Sequence, residues 1–127
     1  MKFTITSLFL FISFSVLYAQ ESTKDLLCNK KWHNIKIEAA GNVIPVPLNV
    51  QKTRWFRFVE NGTFEDNFSN YVREGQWTFS KNKDSVHITD SANVRNSFRI
   101  VSLSEKNLVV NVTIENKAAQ LFFESRE

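Results

Sequence analysis

Few residues in this chain could do covalent or metal chemistry, and their spacing decides against most of it. His33 and His87 are the two histidines, and Cys28 is the one cysteine. Zinc needs three or four converging ligands, and neither histidine has a second carboxylate or cysteine at ligand spacing, so no metal site is expected. Serines are plentiful, but none stands in a G-x-S-x-G turn of the kind that exposes a strained nucleophile. Glycoside hydrolysis would need Asp66 and another inward-facing acid at a set separation, and no other is predicted there. The reading is a non-enzymatic protein without a cofactor.

What the sequence offers instead is "TRWFRFVENGTFEDNF", residues 53–68, where aromatics recur at alternate positions on both sides of Asn61-Gly62. The hairpin has two possible registers, which expose opposite faces. A two-residue turn at Asn61-Gly62 would pair Glu60 with Thr63 and place Arg57 with Asp66 on the face of Trp55, Val59, Phe64 and Phe68. A type I turn centred on Glu60 and Asn61, with Gly62 left-handed in a bulge, pairs Val59 with Thr63. Phe56, Phe58, Phe64 and Phe68 then share a face with Arg54 and Asp66. Burying an ion pair in mid-strand costs more than burying phenyl rings, each stabilising at roughly 25 cal/mol per Å², so the bulged register is expected.

The elements that must carry this hairpin are nearly all strands. "STKDLLCNKKW" reads as a short helical turn with Ser22 or Thr23 as N-cap and Asn29 as its stop. Eight later segments are rich in Val, Ile, Thr, Phe and Trp: 32–38, 53–60, 63–68, 72–80, 85–90, 97–103, 107–115 and 118–125. The last seven are joined by short connections, which favour antiparallel neighbours. Closing such a run into an up-and-down barrel removes its free edges, and eight strands enclose either a filled core or room for one small ligand. The expected fold is therefore all-β: an eight-stranded antiparallel up-and-down barrel with a short N-terminal helix. The long stretch Ala39–Lys52 holds both prolines, Pro45 and Pro47, and reads as a lid over one end.

Alternation assigns faces to the other strands. Gly75, Trp77 and Phe79 point inward, glycine marking a bend in the wall, as do Val86, Ile88, Phe98, Ile100 and the row Leu108, Val110, Val112 and Ile114. Leu121 with Phe123, or Gln120 with Phe122, completes the interior. Trp55 points outward beside Arg57, a composition suited to a protein contact or to cover by the proline-containing loop.

Residues 1–20 have Lys2, an apolar run to Ala19 and a polar end, the pattern of a cleaved secretory leader, too short for a membrane span. Residues 21–127 then form one domain, periplasmic or secreted and not membrane-spanning. The chain has 16 basic and 13 acidic residues, a formal net charge of +3. Its lysines are scattered, so nucleic acid is not an expected partner. With one cysteine no intramolecular disulfide forms, and Cys28 reads as a small half-buried apolar residue near a helix end.

The leader, "LLCNKKW", "F.ENGTF", "G.WTF" and "FRIVSLSEKNLVV" together resemble the bacterial lipocalin-like family, small secreted calyx proteins of Bacteroidetes-type bacteria. The resemblance spans nearly all of residues 21–127. It implies an exported calyx holding a small hydrophobic or amphipathic molecule, with the tryptophan of a Gly-x-Trp signature closing the barrel floor. Trp32 matches that tryptophan, while Asn29 and Lys30 stand where the glycine is expected. In this reading Arg54 and Asp66 orient a polar head, and Phe56, Phe58, Phe64 and Trp77 line the apolar part. The alternative is a protein-binding module of inhibitor or immunity type, with a filled interior and an outer contact around Trp55.

Overall fold

A computed structural model describes residues 23–68 and 71–126; the leader pattern and Ser22 lie outside the described residues. Helix α1 spans 23–27, and Asn29 follows it in the left-handed region (φ 65°), a conformation asparagine tolerates and that ends a helix. The strands are β1 (Lys31–Ala39), β2 (Asn42–Pro45), β3 (Trp55–Phe58), β4 (Thr63–Asp66), β5 (Arg73–Phe79), β6 (Ser85–Asp90), β7 (Arg95–Leu103), β8 (Asn107–Ile114) and β9 (Lys117–Arg126). A second short helix, α2 (Leu48–Gln51), precedes β3. Strands β1 and β3 to β9 pair antiparallel in order, and β1 pairs β9, which closes the eight-stranded barrel.

The hairpin between β3 and β4 takes the bulged register. Val59 N–H donates to Thr63 O at 2.8 Å, Gly62 N–H to Val59 O at 3.0 Å, and Gly62 is left-handed at φ 97°. Phe58 faces Phe64 and Phe56 faces Asp66 across the ladder. Arg57 is left outside with Glu65, 3.4 Å away.

The stretch 39–52 corrects the expectation of a lid. Ala40 (φ 52°) and Gly41 (φ 79°) make a tight turn with both central residues left-handed, the form that suits a two-residue hairpin. β2 then returns along the far half of β1, pairing Ala39 with Asn42 through Lys36 with Pro45. Its proline is tolerated because β2 is an edge. The chain next tucks against the outward side of β1. His33 Nδ1 lies 2.6 Å from Gln51 O, so that nitrogen carries the proton, and Gln51 Oε1 accepts from Arg126 Nη2 at 2.6 Å.

On one edge β1 serves β3 along 31–33 and β2 along 36–39, and it is bulged between the two. Its register with β9 shifts between Asn34 and Lys36. Asn34, fully buried, occupies the kink, its Nδ2 donating to Lys36 O and Phe122 O at 3.2 and 3.1 Å. Those bonds satisfy carbonyls that the irregularity leaves unpaired. On β9, Leu121 and Phe123 face the core. Phe122 faces out under the Lys36 ammonium, 4.3 Å from its ring centre.

One end of the barrel is sealed. Leu27 and Trp32 are fully buried, Trp32 Nε1 donates to Leu27 O at 2.9 Å, and Asn29 N–H donates to Phe58 O at 2.7 Å. Helix α1 thus forms the floor, and the turns 40–41, 91–94 and 115–116 lie at the other end.

Candidate functional site

The aromatic residues that sequence reasoning set around a ligand lie against one another. The Phe56 ring, on β3, is 4.4 Å from that of Phe123 on β9 and 5.9 Å from that of Phe98 on β7, so rings from different walls meet across the interior. Phe58 contacts Phe64 at 5.2 Å and Trp77 at 5.3 Å, and Trp77 Nε1 donates to Val59 O. Phe56, Phe58, Phe64 and Trp77 are all buried. The floor half of the barrel is therefore a packed aromatic core.

Arg54 and Asp66 sit near the open end but do not pair. Both Asp66 oxygens are taken by Arg73, Nε to Oδ1 at 3.1 Å and Nη2 to Oδ2 at 3.0 Å, because Arg73 stands directly opposite on β5. That hydrogen bond raises the Arg73 pKa above its ordinary value. Phe64, Asp66, Arg73 and Ile88 line a small hollow of about 110 Å³ there. The Arg54 guanidinium lies 4.7 Å from the Phe68 ring centre, and its Nε donates to Asn34 Oδ1 at 3.4 Å. Trp55 points outward as expected, yet it is only 8% exposed, with the Lys31 ammonium 4.4 Å from its ring centre. The exposed contact expected there is not formed by the indole.

A larger opening lies elsewhere, where β7 and β8 part. β7 pairs β6 from Arg95 to Arg99, but pairs β8 only from Arg99 onward. β8 runs on past Asn111 to Ile114, still paired to β9. Beyond Arg99 and Asn111 the two strands therefore diverge, and a cleft of about 670 Å³ occupies the gap. Its lining draws on both faces of the wall. Phe98, Val112 and Ala119 come from the inward set, whereas Ser97, Arg99, Asn111 and Gln120 alternate with them on the outward side. The gap is thus a lateral window onto core side chains. A polar row crosses its rim in register from Glu38 to Gln120, Asn111 and Arg99.

Apolar floor and polar rim together suit an amphipathic guest. His87 Nδ1 and Ser97 Oγ, also in the lining, are 2.7 Å apart. Among the described residues no carboxylate bonds that imidazole, and no three of His, Cys, Asp and Glu converge as metal ligands. No described helix is long and apolar enough to cross a membrane.

Cys28 lies under the floor, 5% exposed, and burial pushes its thiol up to about 11. Because the thiolate is the nucleophile, alkylation of the folded protein at pH 8 will run about a hundredfold slower than after denaturation, read by mass spectrometry. The unfolded thiol ionises first as pH rises, so Cys28 also withdraws stability between pH 9.0 and about 11.

No family model and no curated protein matches this sequence.

Proposed function

We propose that this barrel is an exported binding protein for a small amphipathic molecule, held at the parted seam between β7 and β8. The carrying observation is the cleft of about 670 Å³, which gives access to Phe98, Val112 and Ala119 below a polar rim. In this reading the ligand's apolar part lies on Phe98, which Phe56 backs at 5.9 Å, and its polar part meets Arg99, Asn111 and Gln120. Phe58, Phe64 and Trp77 support that floor from beneath. The leader pattern of residues 1–20, with the resemblance to exported bacterial lipocalin-like proteins, supports a periplasmic or secreted location.

The test fills the window. Ala118 lines the cleft and is exposed, so Ala118→Trp occupies space at little cost to the fold. Anilinonaphthalene sulfonate will bind the native protein with enhanced fluorescence, and Ala118→Trp will weaken that binding about tenfold with an unchanged melting curve. An undiminished signal in the variant, or a probe that finds no site on the native protein, counts against the reading.

A further inference from the structure

The seam that makes the cleft also leaves two strand edges facing each other without a partner among the described residues. Which backbone groups these are follows from the ladder. Across β6 and β7, Ile100 N–H donates to Asp84 O at 2.7 Å, and Asp90 N–H donates to Val94 O at 3.0 Å. In an antiparallel sheet, residues that turn their backbone groups to one neighbour alternate with those that turn to the other. The even-numbered residues of β7 near these bonds therefore face β6, and Ser97 and Arg99 face β8. On β8, Asn111 meets Arg99, so Thr113 turns the same way. The next rung of the ladder would join Ser97 to Thr113, but the register stops one rung short. Four backbone groups, the N–H and C=O of each residue, point into the gap with no strand opposite among the described residues.

Resting on the proposal that the cleft binds an amphipathic molecule, we infer that its ligand is peptide-like: an extended segment that adds a strand between Ser97 of β7 and Thr113 of β8. Backbone N–H and C=O groups are obligatory hydrogen-bonding groups, and a guest whose own amides recur along an extended chain satisfies them on both edges. Successive side chains of such a strand point to opposite faces. One set enters the window onto Phe98, Val112 and Ala119, and the other stays outside among Arg99, Asn111 and Gln120. An amphipathic alternation in the guest is what the two-sided lining selects. A guest held by side chains alone would leave the four backbone groups to water and would be indifferent to amides.

The experiment uses the full barrel and the capped peptide acetyl-Thr-Val-Thr-Val-Thr-amide, beside a copy methylated at its central amide nitrogens. Residue-resolved hydrogen exchange by NMR is the main readout. In the free protein the Ser97 and Thr113 amides will exchange freely while those of Phe98 and Val112 are protected. The peptide will slow both exposed amides about tenfold and compete with anilinonaphthalene sulfonate, and the methylated copy will do neither. Thr113→Pro removes the seam-facing N–H without touching the bonds to β9, and will weaken the peptide about fivefold, whereas Thr113→Val will not. Equal binding of the methylated copy, or equal binding by Thr113→Pro, overturns the peptide assignment. So does slow exchange of Ser97 and Thr113 in the free protein, which means a zipped seam. If the sulfonate probe binds and Ala118→Trp blocks it while the peptide leaves exchange unchanged, this inference fails and the amphipathic reading stands. If the probe also fails, both fall.

Discussion

Phe58→Ala will destabilise the protein by about 3–5 kcal/mol in urea unfolding, the range for truncating a fully buried phenylalanine. Phe58 has no exposure, and its ring lies 5.1 Å from Phe56, 5.2 Å from Phe64, 5.3 Å from Trp77 and 6.0 Å from Phe98. Its backbone also holds the floor, since Phe58 O accepts from Asn29 N–H, so the surroundings are tied on both sides and collapse poorly into a void. A small domain has only about 5–15 kcal/mol of stability in total, so the variant will melt far below the native protein. The result separates two accounts of the aromatic stripe. A ring lining a hollow calyx already borders space, and its loss removes fewer contacts. A loss below about 1.5 kcal/mol, in the range of volume-conserving core exchanges, would mean the rings wall a cavity.

How much of this was legible depends on whether a residue's role was set by its own strand or by another. The turn at Asn61-Gly62 could be read because two neighbouring patterns compete: one register buries Arg57 and the other gathers Phe56, Phe58 and Phe64. The faces of β5 to β8 followed in the same way from alternation, except at Ile114, expected inside but 50% exposed where β8 ends at the open end of the barrel. Partners were harder. Arg54 and Asp66 share the aromatic face, but Asp66 is claimed by Arg73, whose place opposite it depends on the register of β5 with β4. Trp55 does point outward, as parity requires, but it is buried there, with the Lys31 ammonium of another strand 4.4 Å from its ring centre. Ala39–Lys52 looked like a lid because two prolines argue against a strand. Its four-residue β2 escapes that argument by sitting at an edge.

The seam was the least legible feature. Phe98, Ile100, Val110 and Val112 alternate as if β7 and β8 paired throughout, and hydrophobic alternation records which face is buried, not which edge is bonded. The cause lies in register. The ladder slips between Ile100 and Ser102, where one extra residue on β7 increases the local twist, and it ends two pairs beyond the slip. β7 is thereby committed to β6 and β8 to β9. An irregularity of one residue in a strand of suitable composition leaves almost no trace in the pattern.

Gly75→Ala will also be strongly destabilising, by about 3 kcal/mol, the upper end for forcing extra volume into a packed site. The sequence reading placed this glycine where the wall bends, a role that by itself puts no atom in the way of a Cβ. A glycine within a strand is worse than alanine by about 0.5–1 kcal/mol on backbone entropy, so alanine at an unobstructed position would stabilise. Here a Cβ would lie 2.5 Å from Thr89 O and 3.1 Å from the Asp90 Cα, both backbone atoms of β6. Neither can swing aside as a side chain could. Relief requires β5 and β6 to separate at the rung joining Gly75 to Asp90, two strands from the seam. β6 carries His87, which bonds Ser97 on the seam's own edge, so a displaced β6 will also disturb the cleft. Chemical denaturation gives the sign directly, and probe binding gives the coupling. A more stable Gly75→Ala with unaltered binding would mean that the close approach does not persist in solution and that the glycine serves curvature alone.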